Sequence, residues 1–289
     1  MLPAVTIRTA TSSGSISRRF SFSESPALFS DLSGQLVFLG TGTSVGVPVV
    51  GCECATCTHP NPRNNRLRCS LVLGLPGGNL LIDTTPDLRT QLLRERIGRI
   101  HSTLFTHEHA DHVYGLDDLR LFPHYLGGPM PILCEEQVEQ RIRKSFDYAF
   151  GDNQGQGGGV PNIAFTRITT EPFHVLGQEV LPIRLRHGRT KVLGFRFGNV
   201  AYCTDTNEIP PESWPLLRNL DCLILDALRL RPHSTHFSLD EAIEVAHKVK
   251  ARRTLFTHMA HEIEHEAVSA TLPAGMELAY DGLRLALKG

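Results

Sequence analysis

Short apolar runs bounded by glycine, proline or polar residues recur along the chain from Gln35 onward. Such runs between turn signals are typical of buried strands, and we predict early strands at Leu36–Leu39, Ser70–Leu75 and Asn79–Ile82. Segments with apolar residues at helical spacing are interspersed among the predicted strands. This mixture predicts an α/β sandwich rather than an all-β barrel.

Two helices carry boundary signals. One is predicted to begin near Thr85, with Pro86 in its first position and Gly98 at its end. The other is predicted after Ser238, because Ser238 and Glu241 have the spacing of a capping box. The apolar residues that follow at helical spacing are Leu239, Ala242, Ile243, Ala246 and Val249.

The first 34 residues differ in composition from the rest of the chain. They are rich in serine and threonine, contain Arg8, Arg18 and Arg19, and have no acidic residue before Glu24. A transit peptide has this composition, and so does a flexible tail or a segment that precedes the true start codon. We predict a flexible N-terminal extension over residues 1–34 and one folded domain over residues 35–289.

Net charge and hydropathy exclude some classes of partner. The chain has 29 basic and 30 acidic residues, so its formal net charge is −1. A nearly neutral chain without a basic block lacks the electrostatic character of a dedicated nucleic-acid-binding protein. No apolar run approaches the roughly 18–20 residues that a membrane-spanning helix needs. We therefore expect neither nucleic acid nor membrane as a partner.

The sequence also contains an internal repeat. The pentapeptide Thr103–His107 recurs letter for letter at Thr254–His258. Upstream of each, a Gly-Asn pair leads through an apolar run to an Asp-Thr pair, at Asp83-Thr84 and at Asp205-Thr206. Two repeated features in the same order predict two similar halves, with a site where they meet.

The strongest chemical signal is the segment HEHADH at positions 107–112. It places His107, His109, Asp111 and His112 directly after a predicted strand. His107 and His109 are two residues apart, so a strand end presents both on one side, and the next two ligands turn towards a second centre. Histidines of a protein core would each need a separate polar partner. The density of the segment therefore predicts a metal site rather than a histidine-rich surface loop.

The H-x-H-x-D-H pattern resembles that of the metallo-β-lactamase superfamily of binuclear hydrolases. The resemblance covers about residues 35–289 and implies a four-layer αββα sandwich. It also implies three further ligands in the family's order, each after a predicted strand, at His187, Asp205 and His258. Any one of these alone would be a weak signal.

The resemblance implies a role for each ligand. It assigns one divalent metal ion, zinc or manganese, to His107, His109 and His187. It assigns a second ion to Asp111, His112 and His258, with Asp205 as the bridge between the two. Such a pair of ions supplies hydroxide at neutral pH and neutralises phosphodiester oxygens. Asp111 is expected in addition to orient that hydroxide. Asp83 is expected to support the ligand loops by hydrogen bonds, and the alternative is an ordinary aspartate that leads into a helix.

Two motifs near the start of the domain narrow the resemblance. Leu39–Ser44 (LGTGTS) and Gly51–Cys57 (GCECATC) look like those of the cyclic phosphodiesterases of bacterial phosphonate breakdown, which open phosphoribosyl 1,2-cyclic phosphate. That family holds a structural zinc ion with its cysteine trio and a histidine near the chain's end. The matching residues here are Cys52, Cys54, Cys57 and His261.

Three thiolates and one imidazole form a closed tetrahedral zinc site, which contributes folding energy and leaves no position open for chemistry. The alternative is a set of free cysteines in a reducing cytoplasm, the compartment in which we expect the protein. The other cysteines lie in apolar contexts and are predicted to be small core residues. They are Cys69, Cys134, Cys203 and Cys222.

A further histidine is implied as a catalytic acid or phosphate ligand shortly before the capping-box helix. His236 keeps the family's spacing to the helix start, whereas His233 lies nearer Pro232 and fits less well. The alternative is a solvated loop histidine near a helix N-cap.

These features predict a metal-dependent hydrolase that cleaves a small cyclic phosphodiester with hydroxide bound between two metal ions. A homodimer is compatible with the sequence.

One alternative is a tRNA 3′-processing endonuclease of the ribonuclease Z type. The glycine-rich stretch 151–159 counts against it, because its one charged residue is Asp152, whereas an RNA-gripping arm needs basic residues. That stretch is predicted to be a mobile loop near the site entrance. Another alternative is a non-catalytic metal-binding protein, like the related protein of pyrroloquinoline quinone biosynthesis.

Overall fold

The computed structural model describes residues 29–150 and 159–287, in which fourteen strands form two sheets of seven. The strands are β1 (Gln35–Gly40), β2 (Ser70–Leu75), β3 (Gly78–Ile82), β4 (Ser102–Leu104), β5 (Met130–Cys134), β6 (Ile163–Arg167), β7 (Phe173–Val175), β8 (Gln178–His187), β9 (Thr190–Phe197), β10 (Val200–Cys203), β11 (Cys222–Asp226), β12 (Arg253–Thr257), β13 (Met276–Leu278) and β14 (Arg284–Ala286). The α-helices are α1 (Leu88–Arg94), α2 (Ala110–Val113), α3 (Phe122–Leu126), α4 (Glu136–Ser145), α5 (Leu239–Val249) and α6 (His265–Ser269). Short 3-10 helices cover Pro62–Asn64, Leu116–Leu121, Asp147–Ala149 and Pro211–Leu217.

The two sheets share one pattern of strand pairing. The first has the order β14-β1-β2-β3-β4-β5-β6 and the second the order β7-β8-β9-β10-β11-β12-β13. In each, the first three pairings are antiparallel and the last three are parallel. The structure therefore consists of two topologically similar halves, as the internal repeat predicts.

One of the two repeated sequence features does not occupy equivalent positions in the two sheets. Strands β3 and β10, which lead to Asp83 and Asp205, occupy the same place in their sheets. The repeated pentapeptide instead lies on β4 and β12, which occupy the fifth and sixth places. The topological counterpart of β4 is β11, which ends in Asp226.

Three clusters of buried side chains separate four layers of structure. Strand β1 contributes to two of these clusters. Its residues Leu36 and Phe38 pack between the two sheets, whereas Val37 and Leu39 pack between the sheet and the helices. This is the period of two that a strand buried on both faces imposes. The third cluster joins the other sheet to α5. The four-layer αββα sandwich is thus confirmed.

Helix α5 begins as predicted, with Ser238 and Glu241 forming both hydrogen bonds of a capping box. Helix α1 is shorter than predicted. It begins after Asp87, whose carboxylate accepts hydrogen bonds from the backbone N–H and the guanidinium of Arg68. It ends before Arg96, which adopts a left-handed backbone conformation with φ of 56°. Among the described residues, no helix has the length and apolar character needed to cross a membrane.

The folded domain starts earlier than the predicted boundary at Gln35. Leu32 is 1% exposed and belongs to a core cluster, and Ser33 forms a β-bridge with Gly74. The last residues of the predicted extension therefore pack onto the domain, because an apolar side chain there completes the core. The rest of the extension, residues 1–28, lies outside the described residues, as does segment 151–158 of the predicted mobile loop.

Candidate metal centre

Polar side chains converge at the ends of strands from both sheets. Asp83 follows β3, His107 lies just beyond β4, His187 ends β8, Asp205 follows β10, Asp226 ends β11 and His258 follows β12. Asp83, Asp205 and His258 adopt left-handed backbone conformations, with φ of 62°, 52° and 61°. Such conformations cost on the order of 1–3 kcal/mol in residues other than glycine and concentrate at functional sites.

The structure brings all seven predicted catalytic ligands together, in two groups. His107, His109 and His187 form one group, and Asp111, His112, Asp205 and His258 form the other. Within each group the ligand atoms lie within 4.8 Å of one another. The division matches the assignment that the sequence resemblance implies. His109 is the exposed member, whereas most of the others are buried.

Asp205 lies between the two groups. Its Oδ1 is 3.2 Å from His258 Nε2 and 3.9 Å from His107 Nε2, and its Oδ2 is 3.3 Å from His112 Nε2. The carboxylate therefore faces one histidine of the first group and two of the second. This is the position that a bridging ligand would need.

The histidines of the centre fit a bound cation. The Nδ1 atoms of His107, His112 and His187 each have a hydrogen-bond acceptor, at 2.9, 2.8 and 2.7 Å. These bonds leave Nε2 as the free ring nitrogen, which is how metal-binding histidines are oriented. The Nε2 atoms of His107, His112 and His258 are buried and have no hydrogen-bond partner among the described residues. Buried polar atoms without partners are rare, and a metal ion would satisfy these three.

Asp83 supports the ligands, as predicted, and does not face the metal positions. The side chain is fully buried and accepts hydrogen bonds from His112 Nδ1, the Thr106 backbone N–H and the Thr106 hydroxyl, each at 2.8 Å. Thr106 Oγ1 in turn accepts from His107 Nδ1. One carboxylate therefore orients a histidine of each group.

Carboxylates dominate the charge of the centre, and the histidine pKa values differ accordingly. Burial, together with the charge of His112, lowers the pKa of His107 well below its ordinary value. Burial also opposes protonation of His112, but the carboxylates of Asp205 and Asp111 raise the pKa of His112 well above its ordinary value. Against the same penalty, Asp205 and Asp111 raise the pKa of His258 to about 9. A bound cation would replace protons on these two histidines, since metal ligands must be deprotonated.

His236 lies beside the centre. Its ring centroid is 4.5 Å from that of His187 and 4.6 Å from that of His258, so it adjoins both groups. Its Nδ1 donates to Asp226 Oδ2 at 2.7 Å, which leaves Nε2 free. His233 is farther out, with its ring 5.3 Å from that of His236.

Asp226 belongs to the candidate site, and the sequence analysis did not predict it. Its side chain is fully buried and accepts a hydrogen bond from the Thr206 backbone N–H at 2.8 Å. Its Oδ1 lies 3.9 Å from His258 Nδ1. It therefore orients His236 and faces the outer nitrogen of a metal-ligand candidate. The signal was available, because Cys222–Asp226 is an apolar run that ends in an aspartate, like the run before Asp205.

The four residues predicted to hold a structural zinc ion form a separate cluster, which we call the cysteine clip (Cys52, Cys54, Cys57 and His261). The sulfur atoms lie 3.2, 3.5 and 3.5 Å from His261 Nδ1. A tetrahedral ion with Zn–S near 2.3 Å and Zn–N near 2.0–2.1 Å places sulfur and nitrogen about 3.5 Å apart. The geometry therefore fits zinc. The other four cysteines are buried, as predicted.

Cys54→Ser is expected to remove one zinc ion per chain and to lower the thermal unfolding midpoint by roughly 5–10 °C, because structural zinc binding is folding free energy. With metal in excess, the folded protein should keep its catalytic metal pair and some activity. Elemental analysis and thermal denaturation of Cys54→Ser beside Cys134→Ser, which removes a buried thiol elsewhere, test this. Lost turnover with unchanged zinc content would show that the clip assignment is wrong.

The family model described as a β-lactamase superfamily domain matches residues 78–259, which include all seven catalytic-ligand candidates. The chain belongs to the metallo-β-lactamase superfamily. A crystal structure of a diphosphatase from the PhnP family is 43% identical, covers 87% of this chain and 96% of that one, and superposes with a TM-score of 0.82. These findings confirm the family predicted from the sequence.

Two curated relatives are also similar to this metallo-β-lactamase superfamily member. An octanoyltransferase of Porphyromonas gingivalis is 34% identical over 251 residues, which are 86% of this chain but 50% of that protein. The chain thus spans half the length of that relative. A ribonuclease Z of Pyrobaculum calidifontis is 22% identical over 78% of this chain and 86% of its own length.

Proposed function

We propose that the protein is a binuclear metal-dependent phosphodiesterase that opens a small cyclic phosphodiester. The observation that carries the proposal is the position of Asp205 between two groups of candidate ligands, with His236 beside both groups. When bound, two divalent ions lower the pKa of water and neutralise phosphate oxygens. The remaining steps fall to side chains of the chain itself.

In this proposal Asp111 orients the attacking water. Its side chain is 14% exposed, whereas those of Asp83, Asp205 and Asp226 are 3% exposed or less. Its Oδ2 lies 3.4 Å from His112 Nε2 and 4.0 Å from His258 Nε2. Of these four carboxylates it is therefore the one that reaches solvent while remaining in the centre.

In this proposal His236 protonates the leaving oxygen. Its Nδ1 bond to Asp226 fixes the ring and leaves Nε2 available to a substrate. Opening a cyclic diester expels an alkoxide, which leaves poorly unless it is protonated. A positioned acid contributes about 10²- to 10⁴-fold to such a step.

A second candidate is hydrolysis of a diphosphate. The observation that favours it is the 43% identity to a diphosphatase over nearly the whole of that chain. The same ligand groups would serve both reactions, because both break a phosphorus–oxygen bond. The leaving groups differ: a diphosphate expels a phosphate, which depends less on an acid such as His236.

Two other functions have weaker support. Transfer RNA processing rests on 22% identity to a ribonuclease Z, and a chain of net charge −1 lacks the basic character that RNA binding needs. A non-catalytic role is disfavoured by the complete set of seven ligand candidates, six of which are at least partly buried.

The decisive experiment is a substrate panel with zinc- or manganese-reconstituted protein. It contains phosphoribosyl 1,2-cyclic phosphate, a 2′,3′-cyclic nucleotide, bis(p-nitrophenyl) phosphate, a nucleoside diphosphate, a pre-tRNA and a lactone. We expect turnover of the cyclic diesters to exceed that of the others. Faster turnover of the diphosphate would select the second candidate, and hydrolysis of the lactone alone would exclude both.

A further inference from the structure

We propose that the cysteine clip and the buried Arg66 together position His258, so that zinc in the clip controls how tightly the second catalytic group holds its metal. The proposal rests on the two metal sites of the proposed function. It goes beyond that function because it makes the metal affinity of a catalytic site depend on zinc in the cysteine clip.

The two sites share a short segment of chain. His258 belongs to the second catalytic group, and His261, three residues later, is the clip's nitrogen ligand. His258 adopts a left-handed backbone conformation with φ of 61°. A residue other than glycine holds this conformation when its surroundings enforce it. Whatever fixes residues 259–261 therefore also fixes the direction of the His258 side chain.

Arg66 fixes one side of this segment. Its guanidinium donates to the carbonyls of Ala260 and Ile263, at 3.1 and 2.7 Å, which flank His261 in sequence. Arg66 is 1% exposed, and it has no carboxylate within ion-pair distance among the described residues. Burial lowers the pKa of Arg66 to about 10, so the buried charge is costly. Its hydrogen bonds to this segment give the buried charge a positioning role.

The backbone adds a second restraint beside Arg66. Met259 donates to the Thr41 carbonyl at 2.9 Å and accepts from the Thr43 N–H at 3.2 Å. Gly42 lies between that pair and Arg66, and a Cβ at Gly42 would be 2.7 Å from the Arg66 carbonyl oxygen. The close packing leaves the segment little room to shift on this side.

The cysteine clip restrains the other side of the segment through His261, and a bound zinc ion would strengthen this restraint. The sulfur atoms lie 3.2–3.5 Å from His261 Nδ1, so a zinc ion bound to all four residues would tie His261 to the three cysteines. Val47, which precedes the clip cysteines in the chain, also exchanges backbone hydrogen bonds with Arg66, at 2.9 and 2.7 Å. Loss of the ion would therefore release His261 and loosen one end of the segment that begins at His258.

The outer nitrogen of His258 lacks the hydrogen bond that orients other histidines of the centre. Its Nδ1 is buried without a hydrogen-bond partner among the described residues and lies 3.9 Å from Asp226 Oδ1. By contrast, His112 is held by a 2.8 Å bond to Asp83. The position of His258 therefore depends more on its backbone than that of His112 does. Loss of groups that orient a ligand typically weakens metal affinity about 10- to 100-fold.

The test is a Mn²⁺ titration followed by electron paramagnetic resonance, in which the wild-type clip carries zinc and the clip of Cys54→Ser does not. Thiolates prefer zinc and the carboxylate-containing catalytic groups accept Mn²⁺, so the titration reports the catalytic sites. We expect Cys54→Ser to weaken one of the two Mn²⁺ affinities about 10-fold and to leave the other unchanged. Cys54→His, which retains four zinc ligands, should restore the affinity, and Cys134→Ser should match the wild type.

Arg66→Lys provides a second variant in case Cys54→Ser does not fold. Lysine keeps the charge but cannot reach both carbonyls, so the same Mn²⁺ affinity should fall while clip zinc remains. Arg63→Lys, whose guanidinium stacks on Tyr280 instead, is the control. Unchanged Mn²⁺ affinities in zinc-free Cys54→Ser, or in Arg66→Lys, would overturn the coupling. A wild-type protein that binds fewer than two Mn²⁺ would overturn the binuclear assignment as well, whereas two bound ions without diester hydrolysis would overturn only the proposed substrate.

Discussion

Asp205→Ala is expected to lose the paired metal centre and to reduce turnover roughly 10³-fold, because it removes the carboxylate that faces both ligand groups. A second metal ion contributes several kcal/mol to stabilising a phosphodiester transition state, and about 1.4 kcal/mol corresponds to a factor of ten in rate. Metal content and turnover should fall in parallel. Both are measured on the same preparation, by elemental analysis and by hydrolysis of bis(p-nitrophenyl) phosphate.

The left-handed backbone conformation of Asp205 makes a second variant necessary, because alanine would be strained there. Asp205 has a φ of 52°, a conformation that asparagine adopts more readily than alanine. Asp205→Asn therefore removes the charge with less backbone strain, and it should show a similar loss of paired metal with better stability. Asp240→Ala, on the exposed start of α5, is the control and should behave as the wild type. Full activity in Asp205→Ala would rule out the bridging role.

His236→Ala is expected to retain both catalytic metals and to lose about 10²- to 10⁴-fold in turnover of a cyclic diester, the range for a positioned general acid. The loss should be much smaller for bis(p-nitrophenyl) phosphate, whose nitrophenolate leaving group needs little protonation. The measurement is kcat for both substrates on protein of verified metal content. His233→Ala removes a neighbouring loop histidine and should leave both rates close to those of the wild type.

The pattern across substrates decides the role of His236. Equal losses on both substrates would make it a phosphate-binding residue, and no loss would leave it a loop histidine. Loss of metal would instead identify it as a ligand, a role that its proximity to His187 and Asp205 also permits. If the protein is a diphosphatase, the effect on its diphosphate substrate should be small, because the leaving phosphate is already stable.

Local sequence was sufficient to predict several elements and the candidate ligands that the fold brings together. The apolar runs of β1, β2 and β3 and the capping box of α5 depend on neighbours in the chain, and these predictions hold within one or two residues. The boundary of α1 was less well predicted, because Asp87 bonds to Arg68, which lies on a preceding segment. A contact between segments overrides local propensity at such a position.

The sequence by itself determined which residue types could hold metal. The ligands at positions 107–112 and the cysteines at 52–57 are clustered in the chain, so their chemistry is visible before folding. Tertiary structure decided how they are used. Asp83 and Asp205 occupy equivalent strand ends, yet one supports two histidines and the other faces both ligand groups. The run before Asp226 marks that residue as a strand-end aspartate, but its partners, like those of Arg66, come from segments distant in the chain. Only sheet pairing and buried packing bring those segments together, because such contacts do not depend on neighbours in sequence.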